Sequence, residues 1–283
     1  MRKSVLIIPV IFGLIFMFGL SGCKKNPKAV DNSITFDSLA LAETYYLNSD
    51  PKQPSCNLQV NFIYPETYKD EKILSKVRMF FIGKVLGGNY IELNPGNALK
   101  SYRNKYIENF KQFGQRVLGK DSRADDEMED ETGFSYYLKL SNTVPYNKNN
   151  ILSLLVENNV YEGGAHGSHG IYCYVFDLST GSFLTEQQIF TEDYKKTLTS
   201  IIVTKITKAN GLKDPVELEN NGYGSIEDIA PNNNFLLDDQ GITYYFNENE
   251  IAAYVMGISK VFIPYNEISS FLRKDGIVAK LAK

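Results

Sequence analysis

The sequence predicts an α+β protein of two lobes, each with helices packed on a small antiparallel or mixed sheet. Three observations predict it. Two long stretches, 68–86 and 95–118, carry apolar residues at helical spacing and follow one another directly. Strand-like runs at 134–140, 151–156 and 171–178 then come as a block. Blocks of like elements, in place of strict β–α alternation, argue against a doubly wound nucleotide fold. With 43% hydrophobic and 22% charged residues the chain has the balance of a globular protein and not of a disordered one.

From the N-terminus, Arg2 and Lys3 precede an uncharged apolar run from Val5 to Leu20, the layout of a secretory signal over residues 1–22. The run is shorter than the ~20 residues that a membrane-crossing helix needs. Leu20-Ser21-Gly22-Cys23 resembles the bacterial lipobox, in which the cysteine thiol receives diacylglycerol before cleavage. The expectation is a lipoprotein anchored to a membrane through Cys23, in the cell envelope. An aspartate after that cysteine would favour the inner membrane; Lys24 stands there, so the outer membrane is expected where one exists. Several acyl chains on Cys23 would hold the anchor, at ~0.8 kcal/mol per buried methylene. Residues 23–50, mostly polar, read as a tether.

Removing residues 1–22 leaves about 260 residues, enough for two lobes with real cores, expected at 50–158 and 159–283. The net charge of −3 becomes more negative once Arg2 and Lys3 are gone, and no basic stripe compensates, so nucleic acid is excluded as a partner.

In the first lobe, Leu58, Val60 and Phe62 alternate with Gln59 and Asn61 as a half-buried strand that Pro65 should close. Ile73, Leu74, Val77, Phe80 and Phe81 then mark a helix stopped by Gly87-Gly88. The next helix has Asn94 as a cap, Pro95 at its first position and a stripe of Leu99, Tyr102, Tyr106, Phe110, Phe113 and Val117. Asp121, Asp125, Asp126, Glu127, Glu129, Asp130 and Glu131, against Arg123 alone, read as a solvated loop without the spacing of a calcium site.

Phe134, Tyr136, Leu138 and Leu140 alternate, and with 151–156 and 171–178 they make an antiparallel meander. Thr191 opens a helix that turns Leu198, Ile201, Ile202 and Ile206 inward and stops at Asn210-Gly211. Residues 211–231 read as loop, 235–246 as a hairpin broken at 238–241, 260–263 as a strand and 265–271 as a short helix. Cys56 and Cys173 both lie in strand-like runs; they could pair in an oxidising compartment, or each could serve as a small buried hydrophobe. The 19 tyrosines and 17 phenylalanines, with no tryptophan, are for the most part sheet packing.

Tyr161-Glu162-Gly163-Gly164-Ala165-His166-Gly167-Ser168-His169-Gly170 holds both histidines and is the one segment that invites chemistry. Zinc could take His166, His169 and Glu162, but histidines three apart in a glycine-rich loop are not held on one helix face, and no third histidine exists. Neither a metal nor any other cofactor is expected. A phosphate loop lacks its G-K-[ST] ending. Ser168 beside His169, with Asp177 to orient a base, lacks a nucleophile elbow. The architectural alternative is a tight connection in which the glycines allow φ > 0 and His166 hydrogen-bonds to backbone.

Tyr161-x-Gly163-Gly164-Ala165-His166, then Phe176-Asp177-Leu178-x-Thr180-Gly181, Ile189-Phe190, and Val261-Phe262-Ile263-Pro264-Tyr265 resemble the extracytoplasmic RsiV-like domain, over roughly 160–275. Residues from about 55 to 158 are similar to its companion domain in that anti-sigma factor and in the peptidoglycan deacetylase PdaC. The resemblance implies an envelope module that binds something, lysozyme in the named relative, and does not catalyse. The expected lipid anchor departs from the anti-sigma factor, and the resemblance to the deacetylase covers the companion domain and not its metal-binding catalytic domain. Two function classes follow: a non-catalytic lipoprotein that binds a lysozyme-like protein or a peptidoglycan glycan through the Tyr161–His169 segment, or a cell-wall hydrolase or deacetylase-associated enzyme using His166, His169, Glu162 and Asp177.

Overall fold

The computed structural model of the chain describes residues 31–118 and 135–282. The signal segment, Cys23 and the acidic run at 121–131 lie outside the described residues. The elements in order are β1 (Thr35–Tyr46), β2 (Ser55–Thr67), α1 (Glu71–Val85), α2 (Pro95–Leu118), β3 (Tyr136–Lys148), β4 (Ile151–Tyr161), β5 (Ser168–Asp177), β6 (Ser182–Phe183), α3 (Glu186–Ile189), α4 (Tyr194–Ala209), β7 (Phe235–Leu237), β8 (Gly241–Phe246), β9 (Ser259–Pro264) and α5 (Tyr265–Ile268). Strands β1 to β6 form one sheet in sequence order, and β7 to β9 form a second, three-stranded sheet. Among the described residues only β2 and β3 pair in parallel, because α1 and α2 intervene as the crossover; the other strand pairs are antiparallel.

The helices on the first face form as the sequence dictates. Asp70 caps α1 by accepting from the Lys72 and Ile73 amides, and Asn94 caps α2 by accepting from Asn97 N at 2.9 Å. The α2 stripe packs inward, with Phe110 fully buried and Tyr136 of β3 against both Phe110 and Phe113. Leu58, Val60 and Phe62 of β2, Leu138 and Leu140 of β3, and Leu152, Leu154 and Val156 of β4 complete this first core.

Ile151 and Val175 face the other way and join a second core with Leu198, Ile202 and Ile206 of α4, Tyr244 and Phe246 of β8, and Ile263 of β9. Strands β4 and β5 are thus covered on both faces, which is why they read as nearly continuous apolar runs. Ser153, fully buried between Leu152 and Leu154, donates its hydroxyl to Leu237 O at 2.7 Å and accepts from Leu237 N at 3.2 Å, tying the two sheets.

Four expectations are corrected. Residues 35–46 are not tether: they form β1, paired along its length with β2, and Asn32 already bonds Asn147 and Ile151 O. Along β1 only Phe36, Leu39, Leu41, Glu43 and Tyr45 are partly covered, so the segment looks polar when read alone. Pro65 does not end β2: the parallel pairing with β3 stops at Asn61, and the pairing with β1 continues past the proline to Thr67 through a register shift. The lobe boundary at 158/159 falls inside β4, so the lobes share a sheet. Of the two alternatives left open for Cys56 and Cys173, the buried hydrophobe holds: both are free and buried, in cores on opposite faces of that sheet, where a disulfide cannot span. Between 211 and 231 the chain makes 3-10 turns at Pro215–Asn221 and Ile226–Asp228 that bury Leu218 and seat Ile229 in the second core. Among the described residues no helix is long and apolar enough to cross a membrane.

Candidate functional site

Strands β4 and β5 pair from Ile151↔Asp177 to Val160↔Ser168, so the Gly-rich segment is the turn of a long hairpin. Gly163 and Gly164 sit at φ +90° and +93° with open space where a Cβ would be, so the backbone conformation, and not crowding, requires glycine. Tyr161 Oη donates to Gly164 O at 2.9 Å and closes the turn on itself. Across the sheets, Tyr254 Oη donates to Gly167 O at 3.2 Å, and the Tyr254 ring stacks on His166 with centroids 5.4 Å apart at 26°.

The hairpin brings the candidates together only in part. His166 is exposed and makes no hydrogen bond among the described residues, so the expected bond from its imidazole to backbone is replaced by the stack on Tyr254. His169 Nε2 lies 3.2 Å from Glu157 Oε1 on the neighbouring strand, and its amide donates to Glu248 Oε2. Glu162 serves neither histidine. Burial first, and then the Glu162 carboxylate, push the Tyr102 hydroxyl up to about 12, and the same two causes raise Tyr106. Glu162 therefore turns toward the α2 tyrosines. Asp177 lies at the opposite end of β5, where its carboxylate accepts from Ser179 N and its carbonyl from Gly181 N, both at 2.8 Å. It stands nine residue steps along the strand from Ser168, roughly 30 Å at ~3.3 Å per step, so it cannot orient a base there. Among the described residues no three His, Cys, Asp or Glu side chains converge as metal ligands would.

Two features escaped the sequence reading. Beside His166, the 254–256 turn leaves Tyr254, Val255 and Met256 exposed by 42%, 87% and 38%, an apolar patch on a loop where polar residues are the norm. Three successive apolar residues before Gly257 were the available signal. The second feature is the edge of β5, which is closed by side chains in place of a strand. Asn234 Oδ1 accepts from Cys173 N, Asn234 Nδ2 donates to Ile171 O, and Asn247 Oδ1 accepts from Ile171 N, at 2.7–2.9 Å. Single asparagines carry no such signal until the fold sets them against a strand.

Residues 187–266 match the family model described as "Protein of unknown function (DUF3298)", and residues 51–169 match the one described as "Deacetylase PdaC". Among curated proteins none matches the chain. A DUF3298-family protein from Bacteroides fragilis, solved as a crystal structure, is similar at 31% identity and a TM-score of 0.82, over 89% of this chain and 98% of that one. A DUF3298-family protein from Pseudomonas aeruginosa shares the fold at 14% identity and a TM-score of 0.55, over 84% of this chain and 95% of that one. With nearly all of the Bacteroides protein spanned at that identity, this chain belongs to the DUF3298 family.

Proposed function

We propose that the chain is a non-catalytic lipoprotein of the cell envelope, anchored through Cys23 in the outer membrane where the organism has one, that binds a lysozyme-like protein or a cell-wall glycan. The observation that carries the binding reading is the exposed patch of His166, Tyr254, Val255 and Met256, docked to the turn by the Tyr254–Gly167 bond. An apolar surface held this firmly and left uncovered suits a partner surface better than solvent. What favours binding over hydrolysis is the dispersal of the candidate catalytic groups: Asp177 at the far strand end, Glu162 against the tyrosines, and His169 paired with Glu157.

The test is a panel of lysozymes and peptidoglycan fragments against the protein, read by calorimetry and by release of product. One ligand should bind without turnover, and Tyr254→Ala should weaken it at least about 10-fold, a loss typical of an exposed aromatic anchor. Turnover that disappears in His169→Ala would establish the hydrolase instead. Metabolic labelling with a fatty-acid analogue tests the anchor: label should enter the parent and not Cys23→Ala.

A further inference from the structure

A separate cavity of about 230 Å³ lies beside the edge of β5, lined by Tyr172, Tyr174, Asn232, Asn233, Asn247 and Glu250. At ~30 Å³ per water it holds roughly eight waters, below the size of a drug pocket and comparable to a single sugar ring. Its polar wall is held in place before any ligand arrives. Glu250 Oε1 accepts from Asn232 Nδ2 at 2.6 Å and Oε2 from Asn247 N at 2.7 Å, which orients the carboxylate and leaves each oxygen able to accept again. Asn233 stands in the left-handed region at φ +58°, locked by Glu186: its amide donates to Glu186 Oε1 at 2.7 Å, and its Oδ1 accepts from Glu186 N at 2.9 Å. Asn233 lines the pocket, and among the described residues its Nδ2 makes no hydrogen bond.

The third component is Tyr172, 44% exposed, whose ring lies across Gly170, where a Cβ would come within 2.8 Å of it. An oriented carboxylate, a free amide donor and an exposed aromatic face ask for a ligand whose groups both donate and accept and whose ring can stack. Among the described residues no lysine or arginine lines the cavity; Lys84 is engaged over the Tyr174 ring at 4.9 Å, and the Glu250 carboxylate stands in the wall, so a neutral ligand is favoured over an anionic one. We infer that the pocket at the β5 edge, with Glu250, Asn233 and Tyr172 as its contacts, binds one ring of a neutral, hydroxylated sugar. The inference is independent of the His166–Tyr254 patch.

The probes are glucose, N-acetylglucosamine, glucosamine and inorganic phosphate, each titrated into the full chain and followed by NMR. A neutral sugar should bind saturably, with Kd on the order of 1 mM, as small ligands in shallow sites do. Glu250→Gln and Tyr172→Ala should each weaken it about 10-fold or more, while Tyr254→Ala leaves it unchanged. Tyr172→Phe, which keeps the ring, should retain most of the affinity. Saturation by no neutral sugar overturns the inference. So does binding of glucosamine or phosphate alone, or binding that survives both Glu250→Gln and Tyr172→Ala. Should Glu250→Gln fail to fold, the contrast between Tyr172→Ala and Tyr172→Phe decides by itself. Loss of macromolecule binding in Tyr254→Ala with sugar binding intact would separate this pocket from the patch.

Discussion

Glu186 is 1% exposed, and its carboxylate accepts from Asn233 N at 2.7 Å and from Tyr194 Oη at 2.9 Å. The buried Tyr244 hydroxyl lies near it as well, raised by burial first and then by that charge. Removing the carboxylate strands buried donors at ~1–3 kcal/mol each, so Glu186→Ala should cost more than about 3 kcal/mol in denaturant unfolding. His166 behaves differently. Exposed and held only by a stack, it should cost less than about 1 kcal/mol on replacement by alanine, read as a small shift in melting temperature. Glu43, held below the usual carboxylate range by its hydrogen bonds from Arg103, supplies a pH dependence. Its contribution is present above the unfolded pKa and is lost as pH falls through the folded one, from about pH 5 downward. The pair is partly exposed, so its worth is below about 1 kcal/mol; the stability gap between parent and Glu43→Gln should close toward pH 3. None of these roles could be read from a residue and its neighbours in sequence, since Glu186 and Asn233 are 47 residues apart.

At the scale of elements, periodicity was the reliable signal. The α2 stripe needs a surface to cover, and it covers Tyr136 and the β1–β2 face; Phe110→Ala should cost ~3–5 kcal/mol of global stability. The α2 cap followed from Asn94 in the sequence, because a cap is a local bond; Asp70 caps α1 in the same way but was not singled out there. Strand β1 was illegible for the converse reason: as an edge strand it half-buries one face only, so its composition looks like a tether's. The β5 edge depends on partners 61 and 76 residues away, Asn234 for Cys173 and Asn247 for Ile171. Asn234→Ala leaves the Cys173 amide unpaired and should cost about 2 kcal/mol, seen also as faster hydrogen exchange at Cys173.

In the whole molecule two cores lie back to back on one sheet, with β4 and β5 contributing to both. Cutting at residue 159 would remove Tyr146, Ile151 and the Ser153–Leu237 bonds from the second core. A fragment of residues 159–283 should therefore show no cooperative thermal transition, whereas the full chain should. Sequence by itself determined the α+β class, the two helices with the Asn94 cap of the second, the β3–β4–β5 meander and the need for glycine at 163 and 164, because periodicity, caps and positive φ are properties of a few adjacent residues. Only the tertiary structure decided that 35–46 is a strand, that the lobes share a sheet, that Asp177 and Glu162 stand away from the histidines, and that His166 meets Tyr254. Each of these depends on which distant segments a sheet register brings within a few ångströms, and no short window of sequence encodes that distance.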